Sequence, residues 1–254
     1  MASTVDLMNA EWRYLAFLNY EIEPGVLEQY LPDGVELDRH HGRLYLSLVG
    51  SMVLNARIAG IDDPLHGDLE QVSLRVYVRR PLAAGGFEHG VVNVRQLVSD
   101  TLPALGARGL FNERAAPASM RHAITMPNGS DNGIGSFEYE WATGDGERRQ
   151  WHRLHVATHG RTRHVQTGSA EEFLTQRHYG FSGTPGLTTL RYRVEHPGWR
   201  IWPATRATLE CDVKEVFGRD FEPYMSGAPA LAFVAEGSDV AVHLPKELEA
   251  PARA

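Results

Sequence analysis

The chain has 254 residues, and its 32 acidic and 25 basic side chains give a formal net charge of −7 at pH 7. This acidic balance excludes nucleic acid as the expected partner, because binding to a phosphate backbone requires a basic surface. The lone Cys211 excludes an intrachain disulfide. No apolar run approaches the roughly 20 residues of a membrane span, and no secretory signal opens the chain. We therefore expect a cytoplasmic protein without a membrane partner.

Helical signals are few. The segment "PGVLEQYL" begins at Pro24, which suits a first helical turn, and "PDG" ends it. The segment "SDTLPALGARGLFNE" offers a Ser or Asp cap, but Pro103 and two glycines predict a short or broken helix. "GSAEEFLTQRHY" begins with Ser169 as a cap and two glutamates in the first turn. "CDVKEVFG" predicts a short helix that stops at Gly218.

Strand signals dominate the remainder. "RYLAFLNYEI" and "RLYLSLVGSMVL" come first, and "LEQVSLRVYVRR" with "HGVVNVRQLV" predicts a hairpin. Further alternating segments follow, among them "GSFEYEWATG", "RQWHRLHVATHG" and "PALAFVAEGSDVAVHLP". About ten strands separated by Gly, Asn and Asp turns are typical of an antiparallel barrel or sandwich. No composition break marks a second domain, so we expect one domain over residues 1–254.

The segment "LEQVSLRVYVRR" alternates with a period of two. Val72, Leu74 and Val76 point to one side, and Arg75 and Tyr77 point to the other. An arginine on the second face of a strand can lie in water, or it can line a cavity and hold an anion. Periodicity alone does not decide between these positions.

Other strands also carry charged groups among apolar ones. Arg13 shares a face with Leu15 and Phe17, and Arg95 interrupts an apolar run. Two further segments carry polar groups in this alternation. The segment "FLTQRHYGF" contains Arg177, His178 and Tyr179, and the segment "LRYRVEHPGW" contains Arg191, Tyr192, Arg193, Glu195 and His196.

Two interpretations of these side chains stay open. In the first, an antiparallel sheet turns its polar face to solvent, and facing charges form weak cross-strand pairs. In the second, the interior of a barrel is partly polar. Its arginines would then pair with Glu70, Glu113 or Glu195, and one arginine would remain free to fork onto a carboxylate.

Motifs for common cofactors and nucleophiles are absent. No dinucleotide or phosphate-binding glycine loop is present, and "GFSGT" fails the spacing of a nucleophile elbow. His155 and His159 are four apart, which on a strand separates them by roughly 13 Å, too far for one zinc ion. We therefore expect no cofactor and no metal.

Three segments together resemble a known family. "LEQVSLRVYVRR", "FLTQRHYGFSGT" and "YRVEHPGWRIWP" are similar to signature segments of the YqjF-like conserved proteins, a family with a domain-of-unknown-function label in the acetoacetate decarboxylase-like superfamily. The opening "WRYLAFLNYEIEPGVLEQYLPDGVELD" and the closing "SDVAVHLP" also match. The resemblance implies a mostly β fold with minor α content: an antiparallel, cone-shaped barrel with a few short peripheral helices. It also implies a cavity for small keto acids and the possibility of a homo-oligomer.

The resemblance transfers position by position. The decarboxylases use an arginine on the first strand, and Arg13 occupies the matching place. They use a glutamate just ahead of the central strand, where Glu70 fits, and a second glutamate is replaced here by Tyr45.

The lysine pair of those enzymes has no counterpart. The matching region, "NVRQLVSDTLPALGARGLFNE", retains Arg95 but contains no lysine, and Lys214 and Lys246 lie far downstream. A Schiff base requires a primary amine, and an arginine cannot replace it because it stays protonated. We therefore predict that the protein is not a Schiff-base decarboxylase.

Three functions remain as hypotheses. The first is an enzyme on a small carboxylate or carbonyl compound, a lyase, hydratase or hydrolase that forms no Schiff base. The second is a non-catalytic barrel that binds a small molecule. The third is a structural domain whose pocket is filled. The partner in the first two is a small anionic or carbonyl-bearing molecule.

The enzyme hypothesis assigns roles to the candidate residues. The candidate catalytic residues are Glu70, Arg75 and Glu195. The candidate substrate-binding residues are Arg13, Tyr77, Arg95, Glu113, Arg177, His178, Tyr179 and His196.

Overall fold

A computed structural model describes residues 6–59, 61–62 and 67–248. Strands make up most of the regular structure within these ranges. The strands are β1 (Asp6–Glu21), β2 (Glu36–Leu37), β3 (Tyr45–Ile58), β4 (Ile61–Asp62), β5 (Leu69–Pro81), β6 (Phe87–Val98), β7 (Ala115–Pro117), β8 (Met120–Thr125), β9 (Ile134–Thr143), β10 (Gln150–His159), β11 (Arg163–His164), β12 (Tyr179–Ser182), β13 (Leu190–Glu195), β14 (Arg200–Glu210), β15 (Leu231–His243) and β16 (Lys246–Glu247). The α-helices are α1 (Pro24–Leu27), α2 (Thr101–Phe111), α3 (Ala170–Thr175), α4 (Val213–Val216) and α5 (Glu222–Met225), and 3-10 turns cover Glu28–Tyr30, Gly146–Arg148 and Arg219–Phe221.

Seven strands close into a barrel in the order β12, β6, β5, β3, β1, β15 and β13. The predicted mostly β barrel with a few short helices is confirmed. The barrel is mostly rather than entirely antiparallel, because β12 pairs with β6 in parallel through Tyr179 and Gly90. Gly90 permits this close approach, since a Cβ there would lie 2.4 Å from the Tyr179 carbonyl oxygen.

Strand β15 also continues into a second sheet formed by β14, β10, β9 and β8. This sheet packs against the outer face of the barrel, and the core between them contains the fully buried Phe137, Tyr139 and Trp141. Val72 and Leu74 of β5 belong to this same core. The apolar face of β5 therefore points out of the barrel toward the second sheet, and its polar face points into the barrel.

The interior of the barrel is filled over only part of its length. A cluster that includes Phe17, Tyr77, Trp199 and Phe233 fills one part, with Phe17 and Phe233 stacked at 4.6 Å between ring centroids. A smaller apolar cluster, which includes Val53, Ala56, Leu69, Val194, Val240 and Val242, lies at the other end. The cavity described below lies between these two clusters and is bounded partly by residues of both.

The predicted helices are confirmed, with one difference. Helix α1 begins at Pro24, and the Ser169 side chain caps α3 by accepting a hydrogen bond from the Glu172 amide at 3.2 Å. Helix α2 is unbroken over 11 residues despite Pro103, because that proline lies in the first turn, where its missing N–H removes no helical bond. None of the helices in the described ranges is long and apolar enough to cross a membrane.

Candidate functional site

A cavity of about 270 Å³ opens inside the barrel. The inward faces of β1, β3, β5, β6, β12, β13 and β15 contribute to its wall, and helix α2 lies across one end. Its charged lining residues within the described ranges are Arg75, Glu113 and Arg177. Most of the other lining side chains are apolar, so these charges lie in surroundings that strengthen electrostatic contacts.

Arg75 lies at the boundary between the filled and the open parts of the barrel. Its guanidinium carbon is 4.9 Å from the centre of the Phe17 ring, which belongs to the filled part. The Nε atom is buried and has no hydrogen-bond partner, and no described carboxylate forms an ion pair with this side chain. A buried guanidinium donor without a partner is suited to hold an anion that enters the cavity.

Glu113 follows α2 and is buried in the wall of the cavity. It accepts a hydrogen bond of 2.7 Å from the Tyr192 hydroxyl. Burial raises the pKa of the Glu113 carboxyl to about 7, although hydrogen bonds from Tyr192 and Asn93 and the charge of Arg114 act in the opposite direction. A carboxyl group with this pKa can both take and return a proton near neutral pH.

Gly180 provides the space that holds Tyr192 against Glu113. The two residues are direct cross-strand neighbours on β12 and β13, and a Cβ at position 180 would lie 2.0 Å from Cζ of the Tyr192 ring. The tyrosine ring therefore lies over the bare backbone of the neighbouring strand.

We expect Gly180→Ala to displace the Tyr192 ring and to lower the free energy of unfolding by about 1–3 kcal/mol. Chemical denaturation measures this change. The control is Gly227→Ala, since a Cβ there meets nothing within 4 Å. An effect at Gly180 no larger than at Gly227 would contradict this account of the tyrosine's position.

Arg177 lines the same cavity, but two of its three guanidinium nitrogens donate to partners in the protein. Its Nη1 donates to Oδ2 of the buried Asp38 at 2.6 Å, and its Nε donates to the Phe173 carbonyl at 2.5 Å. The same Asp38 oxygen contacts Nδ1 of His89 at 2.7 Å. Burial alone would raise the pKa of Asp38, but the hydrogen bonds from Arg177 and His89 outweigh it, so the pKa lies below its ordinary value.

His196 and Tyr179 also line the cavity. The His196 ring stacks on Trp199 with centroids 4.3 Å apart. Burial is the main cause that lowers the pKa of His196, and the nearby positive charges of His178 and Arg75 add to it. The imidazole is therefore neutral near pH 7, with one ring nitrogen that donates a hydrogen bond and one that accepts.

Two further predicted residues lie close to the cavity without lining it. His178 faces a neighbouring surface groove and contacts the Val194 carbonyl at 3.3 Å. Tyr77 points inward but lies in the filled part, where its hydroxyl hydrogen-bonds Ser47 at 2.6 Å. The third hypothesis requires a filled pocket, but aromatic side chains fill only one part of the barrel and leave the cavity open.

The structure does not bring Glu70 or Glu195 to the cavity. Strand β5 pairs with β3 without interruption, so Glu70 points away from its cavity-lining neighbours and contacts His122 at 2.8 Å. Glu195 lies on the opposite face of β13 from the cavity-lining residues, is exposed, and contacts His243 at 3.0 Å.

Two β-bulges explain why Arg13 and Arg95 also lie outside. Tyr14 has a φ of 55°, and one extra residue of β1 lies opposite β3 at this point, so Arg13 does not share a face with Leu15. It pairs instead with Glu11 at 2.7 Å. A second bulge in β6 leaves Arg95 opposite Leu74, where it is exposed.

The two lysines lie away from the cavity, and the described residues form no metal-binding group. Lys214 on α4 and Lys246 on β16 are exposed, and neither lines the cavity. Within the part of the chain that the structure describes, no group of three or more His, Cys, Asp and Glu residues could hold a metal ion.

Sequence reasoning missed Tyr192, Asn93 and Asp38. The alternation of "LRYRVEH" places Tyr192 with Val194 and His196, and this apolar company was the available signal for the inward face. The bulge in β6 places both Asn93 and Gln96 on the cavity wall, although their spacing is odd. No signal in the sequence pairs Asp38 with Arg177, because the two are 139 residues apart.

Comparison with solved structures identifies the class of fold. Acetoacetate decarboxylase from Legionella pneumophila matches with a TM-score of 0.61 and 14% identity over 97% of this chain and 88% of that chain. An acetoacetate decarboxylase-like enzyme from Sphingomonas wittichii has a TM-score of 0.62 and 14% identity, with coverages of 97% and 95%. The enduracididine biosynthesis enzyme MppR complexed with pyruvate has a TM-score of 0.64 and 14% identity, with coverages of 98% and 93%. The molecule thus has the acetoacetate decarboxylase-like fold.

The particular family follows from the sequence. A model of DUF2071, a family described as an uncharacterized conserved protein, matches residues 9–239, and the chain belongs to this family. The resemblance to a domain-of-unknown-function family is therefore confirmed. No curated protein matches the chain.

Proposed function

We propose that the barrel cavity binds a small molecule through a carboxylate held by Arg75, and that Glu113 transfers a proton to or from the bound molecule without a covalent intermediate. The observation that carries this proposal is the buried Nε of Arg75, which has no partner on the wall of an open cavity. An anion would satisfy that donor and neutralise the guanidinium.

Glu113 supports the proton-transfer part because it lies on the same cavity wall. Enolisation, hydration, dehydration and hydrolysis all need a group that removes a proton and returns it. Arg75 acts on the pKa of Tyr192, whose hydroxyl donates to Glu113, so the anion site and the carboxyl group share one neighbour. Lys214 and Lys246 are exposed and distant from this wall, which favours chemistry without a Schiff base.

Fold relatives provide limited support. MppR, which has the same fold, was solved with pyruvate bound, so this type of barrel can hold a small keto acid.

A non-catalytic binding protein is the second candidate, because most of the side chains around the charged groups are apolar, as in many ligand pockets.

Binding and exchange measured together test the proposal. Pyruvate and longer 2-oxo acids are added to the protein in heavy water, and NMR follows both binding and loss of the proton next to the carbonyl. Arg75→Gln should weaken carboxylate binding by about 10- to 100-fold.

The matched control is Arg79→Gln, on the same strand, because Arg79 pairs with Glu36 at the surface and does not line the cavity. Equal binding in the Arg75 and Arg79 variants would overturn the anion site. Binding without proton exchange would select the non-catalytic candidate. Borohydride reduction in the presence of pyruvate should trap no covalent adduct. A trapped lysine adduct would contradict the prediction that no Schiff base forms.

A further inference from the structure

The cavity has a polar part and an apolar part. The inward row of β5 runs Leu69, Gln71, Ser73 and Arg75, so polarity changes along one strand. Arg75 lies six positions after Leu69, which at about 3.3 Å per residue is roughly 20 Å along the strand. On β3 and β15, the apolar Val53 and Val242 lie in the same cluster as Leu69.

Helix α2 covers the apolar part with one continuous face. Leu102, Gly106 and Leu110 are spaced four residues apart and line the cavity, together with Pro103, Ala107 and Phe111. Leu102 and Leu110 remain 61% and 51% exposed, so these leucines lie at the rim of the cavity. The charged lining residues of the described ranges are Arg75, Glu113 and Arg177. None of them lies on α2 or in the small apolar cluster around Leu69.

A three-carbon keto acid would leave the apolar part unused. The cavity of about 270 Å³ is larger than an engineered apolar cavity of about 150 Å³ that binds the six-carbon ring of benzene. Water gains little in an apolar space, because it needs polar partners there. A hydrocarbon chain would gain by leaving water for the same space.

We propose that the ligand of this cavity is amphipathic: a carboxylic acid with an apolar chain of several carbons, whose chain lies under α2 against the cluster around Leu69. The position of the carboxylate rests on the proposed function, whereas the position of the chain rests on the apolar lining alone. Exposed leucines at the rim are consistent with entry of such a chain past α2.

A series of straight-chain acids from propanoate to decanoate tests the chain site, with affinities measured by calorimetry or NMR titration. The affinity should rise about fourfold with each methylene until the apolar part is full. Matching primary alcohols should show the same dependence on chain length and weaker binding throughout.

Two glycines on α2 provide a matched pair of variants. A Cβ at Gly106 or at Gly109 meets nothing within 4 Å, but only Gly106 lines the cavity. Gly106→Leu should reduce the affinity for the longest acids by at least about tenfold and leave the shortest acids unchanged. Gly109→Leu should change neither, and both should retain or raise the unfolding midpoint because leucine favours the helix more than glycine.

The outcomes separate this inference from the proposed function. Equal affinity for short and long acids would overturn the apolar chain site and leave the carboxylate site standing. Long alcohols that bind as tightly as long acids would overturn the carboxylate site and leave the chain site standing. Equal weakening of short and long acids by Gly106→Leu would also overturn the chain site.

Discussion

Glu113→Gln is expected to slow proton exchange of a bound 2-oxo acid by about 10²- to 10⁴-fold. Glutamine has nearly the shape of glutamate and can keep the contact with Tyr192, so the carboxylate of the ligand should bind with at most a small change. NMR in heavy water measures the exchange rate, and a titration measures binding. Loss of exchange with retained binding separates a proton-transfer role from a purely structural one.

The exchange rate should also depend on pH in a defined direction. The ionised carboxylate removes the proton, and the pKa of Glu113 is raised to about 7, so the rate should rise as the pH passes through about 7. The variant should lose this dependence. The matched control is Glu70→Gln, because Glu70 contacts His122 outside the cavity. An equal loss of exchange in the Glu70 variant would contradict the assignment.

Glu113 should also affect stability against pH. The folded carboxyl retains its proton up to about 7, whereas the reference value is 4.5, so the folded state binds more protons between these values. The free energy of unfolding should therefore fall as the pH rises from about 4.5 to about 7, by at most about 3 kcal/mol. Denaturation of Glu113→Gln over the same range should show a smaller decrease.

Asp38→Asn is expected to lower the free energy of unfolding by about 3–5 kcal/mol. The Arg177 side chain is only 5% exposed, and Asp38 is its ion-pair partner at 2.6 Å. Without that carboxylate, a buried guanidinium would keep its charge with no compensation. Chemical denaturation near neutral pH measures the effect.

Two further variants make this prediction specific. Glu36→Gln breaks the ion pair with Arg79. The Glu36 side chain is 48% exposed and the Arg79 side chain 37%, so the free energy of unfolding should change by less than about 1 kcal/mol. The double variant Asp38→Asn with Arg177→Met should recover part of the loss, because it removes the unpaired charge. A loss for Asp38→Asn no larger than that for Glu36→Gln would contradict the structural role of the buried pair.

Acid should weaken the same pair. The pKa of Asp38 is lowered in the folded state, so its stabilising contribution is complete above the ordinary carboxyl pKa of about 4 and disappears as the pH falls below that value. This direction is opposite to that of Glu113. The two carboxyls therefore act on stability in different pH ranges.

The sequence by itself determined the local structure. Caps such as Ser169, the proline at the start of α1 and the period of two in β5 depend on neighbours within a few residues, and those elements appear where expected. A mostly β fold was also accessible, because many short alternating segments with few helices are typical of a barrel or a sandwich, and the family resemblance favoured the barrel. The alternation also separated the two faces of β5 and placed Arg75 on the face opposite Val72, Leu74 and Val76.

Only the tertiary structure decided which faces line the cavity. Arg13 and Arg95 left the expected face because single-residue bulges shift the alternation, and such a bulge depends on the partner strand. Glu113 and Tyr192 meet across 79 residues, and Asp38 and Arg177 meet across 139. Contacts of this kind arise from closure of the barrel, so periodicity along one strand carries no information about them.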